Sequence, residues 1–201
     1  MRALCFALGT LVAVVAWADP GLVGEIPNAH KVLKRTLRLH GASSLNLRDR
    51  REFAVQAPIG EAWETALTYD ERGRRASVDL AYQFLIPFPD AIPGISIGVV
   101  DLPNRTRDGR SLYLVATWQF GLQGESNGNV PAELTLGGGT GRYRGLLFGM
   151  KLPLTDRFSL TSQHDSRDLR AGFEFQATQE LKFRIQFQQN RSLVSFDWTL
   201  R

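Results

Sequence analysis

The chain has 201 residues, with 24 Lys and Arg against 20 Asp and Glu, 43% hydrophobic residues and a single cysteine. The charges are spread along its length, which excludes a polyelectrolyte tail, and one cysteine excludes a disulfide-stapled scaffold. Beyond the N-terminal run, no stretch long enough to cross a bilayer as a helix is free of charge.

Met1 to Ala18 opens with Arg2, continues as an apolar run from Ala3 to Trp17, and closes on Ala16-Trp17-Ala18 before Asp19-Pro20. A basic start, an apolar middle and a small-x-small end predict a cleaved signal peptide over residues 1–18. Cys5 lies inside it, so the mature chain has no cysteine, as suits a bacterial envelope protein. Residues 19–31, which include Gly21-Leu22-Val23-Gly24-Glu25-Ile26-Pro27-Asn28-Ala29, read as a Gly/Pro-punctuated lead-in, and residues 32–201 as one domain.

Within that domain the apolar period is two. Strand candidates run over Val32 to His40, Glu52 to Ala57, Ala62 to Asp70, Ala76 to Leu85, Gly94 to Leu102 and Ser111 to Phe120. Further candidates are Ala132 to Gly138, Leu146 to Leu152 and Phe158 to Ser162. Turn formers separate them, among them Pro58-Ile59-Gly60, Asn104 to Gly109 and Gly124 to Pro131. The basic runs Arg48 to Arg51 and Arg72 to Arg75 fall in such turns beside Asp49, Asp70 and Glu71, and read as solvated loops rather than a nucleic-acid surface.

The last thirty-five residues carry the pattern most clearly. Leu169, Ala171, Phe173 and Phe175 alternate with Arg170, Glu174 and Gln176; Leu181, Phe183, Ile185 and Phe187 with Lys182, Arg184, Gln186 and Gln188; Val194, Phe196, Trp198 and Leu200 with Ser195, Asp197 and Thr199. One face is large and apolar, the other charged or amide-bearing. With about ten to twelve short strands and no helical period, the fold class is an all-β, antiparallel up-and-down β-barrel of the outer-membrane type, because closure removes the edges an open sheet would expose. A soluble periplasmic barrel is the alternative.

In the membrane reading Phe173, Phe175, Phe183, Ile185, Phe187, Phe196 and Trp198 face lipid. Glu174, Lys182, Arg184 and Asp197 then form a charge cluster in the interior. A three-residue loop at Ala177 to Gln179 sets Glu174 opposite Lys182, and an even loop centred on Asn190-Arg191 sets Arg184 opposite Asp197. At the chain end Phe196 and Trp198 supply the aromatic-x-aromatic pair that barrel-insertion machinery reads. Leu193 stands where that signal has glycine, and the chain closes on Leu200-Arg201 rather than an aromatic.

Other constellations carry less chemistry. Ser162, His164, Asp165 and Ser166 are the residue types of a lipid-modifying hydrolase, but they sit where a strand runs into a polar turn. Gly137-Gly138-Gly139-Thr140-Gly141 lacks the Gly-Lys-Ser/Thr ending of a phosphate loop and reads as a strand that packs closely against its neighbours. His30 and His40 are isolated and no cluster has metal-ligand spacing, so no cofactor is expected.

Three segments resemble the YjbH-type outer-membrane β-barrel family associated with exopolysaccharide loci. They are residues 21–29, the run Pro93-Gly94-Ile95-Ser96-Ile97-Gly98-Val99-Val100-Asp101-Leu102 with Tyr113 to Thr117, and Leu134-Thr135-Leu136-Gly137-Gly138-Gly139. Leu152 to Asp165 looks like the same family's next hairpin, with Gln163-His164-Asp165 where Glu-Tyr-Asp is usual. The resemblance implies a short, single-barrel, non-enzymatic member in the outer membrane. Its implied partners are outer-membrane lipid, the insertion machinery, envelope polysaccharide and other exopolysaccharide-locus proteins, and not nucleic acid. The function alternative is a small lipid-binding barrel or lipid-modifying hydrolase of the envelope.

Overall fold

The computed structural model describes residues 18–19, 26–29, 36–45, 51–71, 74–106, 109–121, 131–189 and 191–201. The expected signal peptide lies outside these except for Ala18. Two short strands come first, β1 (Ala18–Asp19) and β2 (Asn28–Ala29), paired antiparallel with each other. Twelve longer ones follow: β3 (Leu37–Ser44), β4 (Arg51–Ile59), β5 (Trp63–Asp70), β6 (Arg75–Leu85), β7 (Gly94–Val100) and β8 (Ser111–Phe120). Then come β9 (Ala132–Gly139), β10 (Gly145–Pro153), β11 (Phe158–Asp165), β12 (Leu169–Gln176), β13 (Leu181–Gln188) and β14 (Arg191–Leu200). Each of β3 to β14 pairs antiparallel with its sequence neighbours, and β14 closes on β3 from Leu193↔Ser44 to Leu200↔Leu37, so the sheet is a closed up-and-down barrel.

The faces of this barrel are inverted relative to a water-soluble one. Ile185 on the outside is 46% exposed while Arg184 beside it, on the inside, is 7% exposed. The same alternation holds around the sheet: Phe53, Leu67, Ile97, Leu114, Phe173 and Phe187 are exposed, and Gln56, Thr68, Ser96, Thr117, Glu174 and Gln186 are buried. Alternation places these side chains but does not choose the medium. A continuous apolar outer belt over a polar interior is the arrangement a bilayer requires of a strand-built span. No helix among the described residues is long and apolar enough to cross a membrane.

Two expected registers are corrected. Glu174 lies opposite Arg184, and Gln176 opposite Lys182, because the turn sits one residue further along than expected: the Ala177 N–H bonds back to the Leu181 carbonyl at 2.9 Å, with Thr178 to Glu180 between them. At the next hairpin Gln188 pairs with Arg191, which leaves Gln189-Asn190 as the two-residue loop and sets Lys182, not Arg184, opposite Asp197. Both slips are by an even step, so every side chain keeps its face. Of the first candidate strand, Val32 to His40, residues 37–40 fall in β3, and residues 32–35 lie outside the described residues.

The even strand number brings the start of β3 and the end of β14 to one rim, and the two rims differ. The rim at the chain ends carries the exposed aromatics Trp63, Phe84, Phe88, Phe120, Phe158 and Trp198. At the opposite rim stand exposed arginines: Arg51, Arg74, Arg75, Arg105, Arg110, Arg144, Arg167 and Arg191. In the described part of the turn after β7, at this rim, the Asp101 side chain accepts from the Arg105 N–H (2.9 Å) and from the Thr106 N–H and hydroxyl (2.6 Å each). Burial of this carboxyl acts to raise its pKa. The Thr106 hydroxyl, the Arg105 and Thr106 amides and the Arg110 charge outweigh that effect and hold the group below its ordinary value.

Candidate functional site

The interior is the only face on which this barrel gathers chemistry, and its two halves are built differently. On the β10–β14 and β3 side, inward positions carry charge. Glu174 on β12 receives Lys151 Nζ from β10 at 2.7 Å, Arg184 Nη2 from β13 at 2.8 Å and Lys182 Nζ at 3.9 Å. Asp197 on β14 receives Arg38 Nη2 from β3 at 2.9 Å and Arg184 Nη2 at 3.6 Å, and the His40 ring Nδ1 lies 2.8 Å from it. Arg184 therefore bridges the two carboxylates, and its Nε also donates to Glu174 Oε2 at 3.3 Å.

The expected set Glu174, Lys182, Arg184 and Asp197 is thus found in one place, with Arg38, His40 and Lys151 added to it. What made them neighbours of the cluster is ring closure and a shared inward level, which no local pattern reports. Directly opposed unlike charges hold a register, and a buried charge stripped of its partner is costly, so the network couples five strands. A second ion pair, Arg170 Nη2 to Asp165 Oδ2, stands nearer the opposite rim, with Arg170 Nε donating to Gln188 Oε1 at 3.2 Å.

The inward wall of β6 to β10 mixes small and apolar residues with buried polar ones, Asp79, Gln83, Ser96, Thr117 and Thr135 among them. Glycines occupy inward positions at Gly94, Gly98, Gly137, Gly139 and Gly149, and Ala81, Val100, Tyr113, Val115, Tyr143 and Leu147 form a buried cluster. The Tyr113 ring lies across Gly98, covering a position that has no side chain of its own, and meets Tyr143 edge-on with centroids 5.9 Å apart. At Gly137 and Gly139 an added Cβ would strike the Leu114 and Leu112 carbonyls of β8, which explains the glycine run as close strand packing.

Against this wall lies the lead-in. Ile26, Pro27 and Ala29 are buried inside the barrel, and Ala29 belongs to the same apolar cluster. The Ala29 N–H donates to Thr117 Oγ1 at 2.9 Å, its carbonyl accepts from Gln83 Nε2 at 3.4 Å, and the Ile26 N–H donates to Gln163 Oε1 at 3.3 Å. Nothing in the Gly/Pro punctuation of residues 19–31 pointed inward; these bonds are all to residues more than fifty positions away.

Ser162 and His164 do share a face, the outer one, but Asp165 points inward to Arg170. His164 Nδ1 lies 3.2 Å from the Leu146 carbonyl and accepts from the Ser166 N–H at 3.3 Å, which occupies it within its own turn. The three side chains stand on two sides of one strand and form no nucleophile–base–carboxylate relay. Among the described residues no group of three or more His, Cys, Asp or Glu is placed to hold a metal ion.

No protein-family model matches this chain, and no curated protein matches its sequence. The YjbH-type resemblance therefore rests on its short motifs alone. Solved structures do match in fold. A KdgM porin in complex with disordered oligogalacturonate aligns with a TM-score of 0.51 at 8% identity, covering 83% of this chain and 99% of the porin. A second KdgM porin structure aligns at 0.50 and 7% identity with the same coverage. At such identities the likeness is one of backbone: the chain is a closed, twelve-stranded, antiparallel β-barrel with the fold of those outer-membrane barrels.

Proposed function

We propose that this protein is a non-enzymatic outer-membrane channel whose interior takes acidic oligosaccharides, exported by its first eighteen residues and inserted with the apolar belt in lipid. The observation that carries the reading is the charged wall. Lys151, Lys182, Arg184 and Arg38 converge on Glu174 and Asp197 along one side of the interior. Such a wall offers guanidinium and ammonium donors to a sugar carboxylate, and its own carboxylates accept from sugar hydroxyls. The oligogalacturonate bound by a porin of the same fold is a solute of that kind. An acidic exopolysaccharide fragment is another, and the polysaccharide partner is defined here by its charge. In the same reading Phe173, Phe175, Phe183, Ile185, Phe187, Phe196 and Trp198 contact lipid, and Glu174, Lys182, Arg184 and Asp197 contact solute.

The test is purified barrel in planar bilayers, with acidic and neutral oligosaccharides of equal length added in turn. Charge-selective current interruptions that weaken at high salt are expected, and weaker still in Lys182→Gln with Arg184→Gln. A pore that treats both sugars alike, or a chain recovered as a soluble periplasmic species, overturns the reading.

A further inference from the structure

Several features of the interior are unexplained by a plain channel, and they meet at the lead-in. Five strands of the β6–β11 wall present inward groups to residues 26–29: Gln83, Gly94, Thr117, Gly149 and Gln163. Two of these are glycines, and they fit the segment closely. A Cβ on Gly94 would strike the Ala29 carbonyl oxygen, and a Cβ on Gly149 would stand 2.5 Å from Ile26 Cδ1. The wall is hollowed where the segment lies, and both of its end residues are tied by backbone hydrogen bonds to polar side chains of the wall. A chain end that merely wandered into a wet lumen would need neither the hollow nor the bonds.

We infer that Ile26 to Ala29 is a fixed inner strand of the channel, seated on the small-residue wall, which narrows the passage and confines it to the charged side. Solute then moves between this segment and the Lys182/Arg184 wall, and the segment sets the largest solute that passes. The inference goes beyond the choice of solute, and it is read with potassium chloride and neutral polymers alone.

Two variants of the full chain test it, both with Cys5→Ser. In Ile26→Cys with Gly149→Cys, a sulfur takes the place of Ile26 Cγ1, which lies 3.3 Å from the Cβ position of residue 149, within disulfide reach. Oxidation should cross-link nearly all of the protein and leave single-channel conductance unchanged. Deletion of residues 21–31 should raise conductance several-fold and admit wider polymers than the parent does. Failure to cross-link, a cross-linked channel that conducts less than the reduced one, or a folded deletion variant with parental conductance and size cut-off overturns the inference. If the deletion variant does not fold, the cross-link comparison decides alone. A silent parent with a conducting deletion variant supports the inner strand while removing the channel reading of the intact protein.

Discussion

The two halves of the interior share one outer surface and differ in almost everything they turn inward. Strands β10, β12 to β14 and β3 point Lys151, Glu174, Lys182, Arg184, Asp197 and Arg38 at one another, whereas β7 and β10 turn Gly94 and Gly149 to the chain's own lead-in. The first wall is held by charge paired across strands; the second is held by close contact between backbones. Period two dictates which face a residue occupies in both halves, but what that face must contain depends on what stands opposite it.

The strongest way to break the charged half is Glu174→Ala. It removes the carboxylate on which Lys151, Lys182 and Arg184 converge, leaving Arg184 with Asp197, and should cost about 3–5 kcal/mol in a denaturant titration of the barrel in lipid vesicles. A loss below about 1 kcal/mol would mean water already screens the site. On the outer face of the neighbouring strand, Ile185→Arg tests whether the belt meets lipid. An arginine near the bilayer midplane should cost about 2–4 kcal/mol in the same titration, and a neutral result points to an aqueous exterior.

The glycine half answers to size instead of charge. Gly94→Val drives a side chain into the Ala29 carbonyl and should cost about 1–3 kcal/mol, with the lead-in becoming open to added protease; Ser96→Ala one inward position along offers a control that adds no bulk. A smaller effect sharpens the charged half. Arg184 and Asp197 are 3.6 Å apart without being directly opposed, so a double-mutant cycle should give a coupling of about 1 kcal/mol, and zero coupling would leave Arg38 and His40 as the effective partners of Asp197.

How much of this was legible follows the same divide. The three C-terminal strands could be placed by alternation, and so could the charged positions they turn inward, since Phe and Leu alternate there with Lys, Arg, Glu and Asp without interruption. Their registers were not legible. A loop at Ala177 to Gln179 and one at Thr178 to Glu180 give Glu174 the same face, and only the Ala177–Leu181 bond distinguishes Lys182 from Arg184 as its opposite number. Arg38, His40 and Lys151 joined the cluster through closure of the ring and depth along its axis, neither of which leaves a mark on neighbouring residues. The lead-in was least legible of all. Its short run has no period of its own, and the glycines that receive it are scattered from residue 94 to residue 149.

The gentlest perturbation acts outside the membrane, in the turn after β7. Asp101 is held below its ordinary pKa in the folded state, so its contribution is present at pH above the usual carboxylate range and is lost as pH falls through the lowered value. Protection of the Arg105 and Thr106 amides, measured against their intrinsic exchange rate at the same pH, should therefore be high at neutral pH and fall on acidification, while Asp101→Asn should be poorly protected at both. Equal protection in parent and variant would assign the turn's order to its backbone alone.

The unlike rims bear on transport in terms of direction. Guanidinium groups ring one mouth of the barrel and aromatic rings the other, so the potential along the axis has a high end and a low end. Anions gather at the arginine mouth before they enter, within about 8 Å of it at physiological ionic strength. With equal salt on both sides, the proposed channel should then rectify, carrying more current at one sign of voltage than at the other, and the asymmetry should fade as added salt shortens the reach of the arginines.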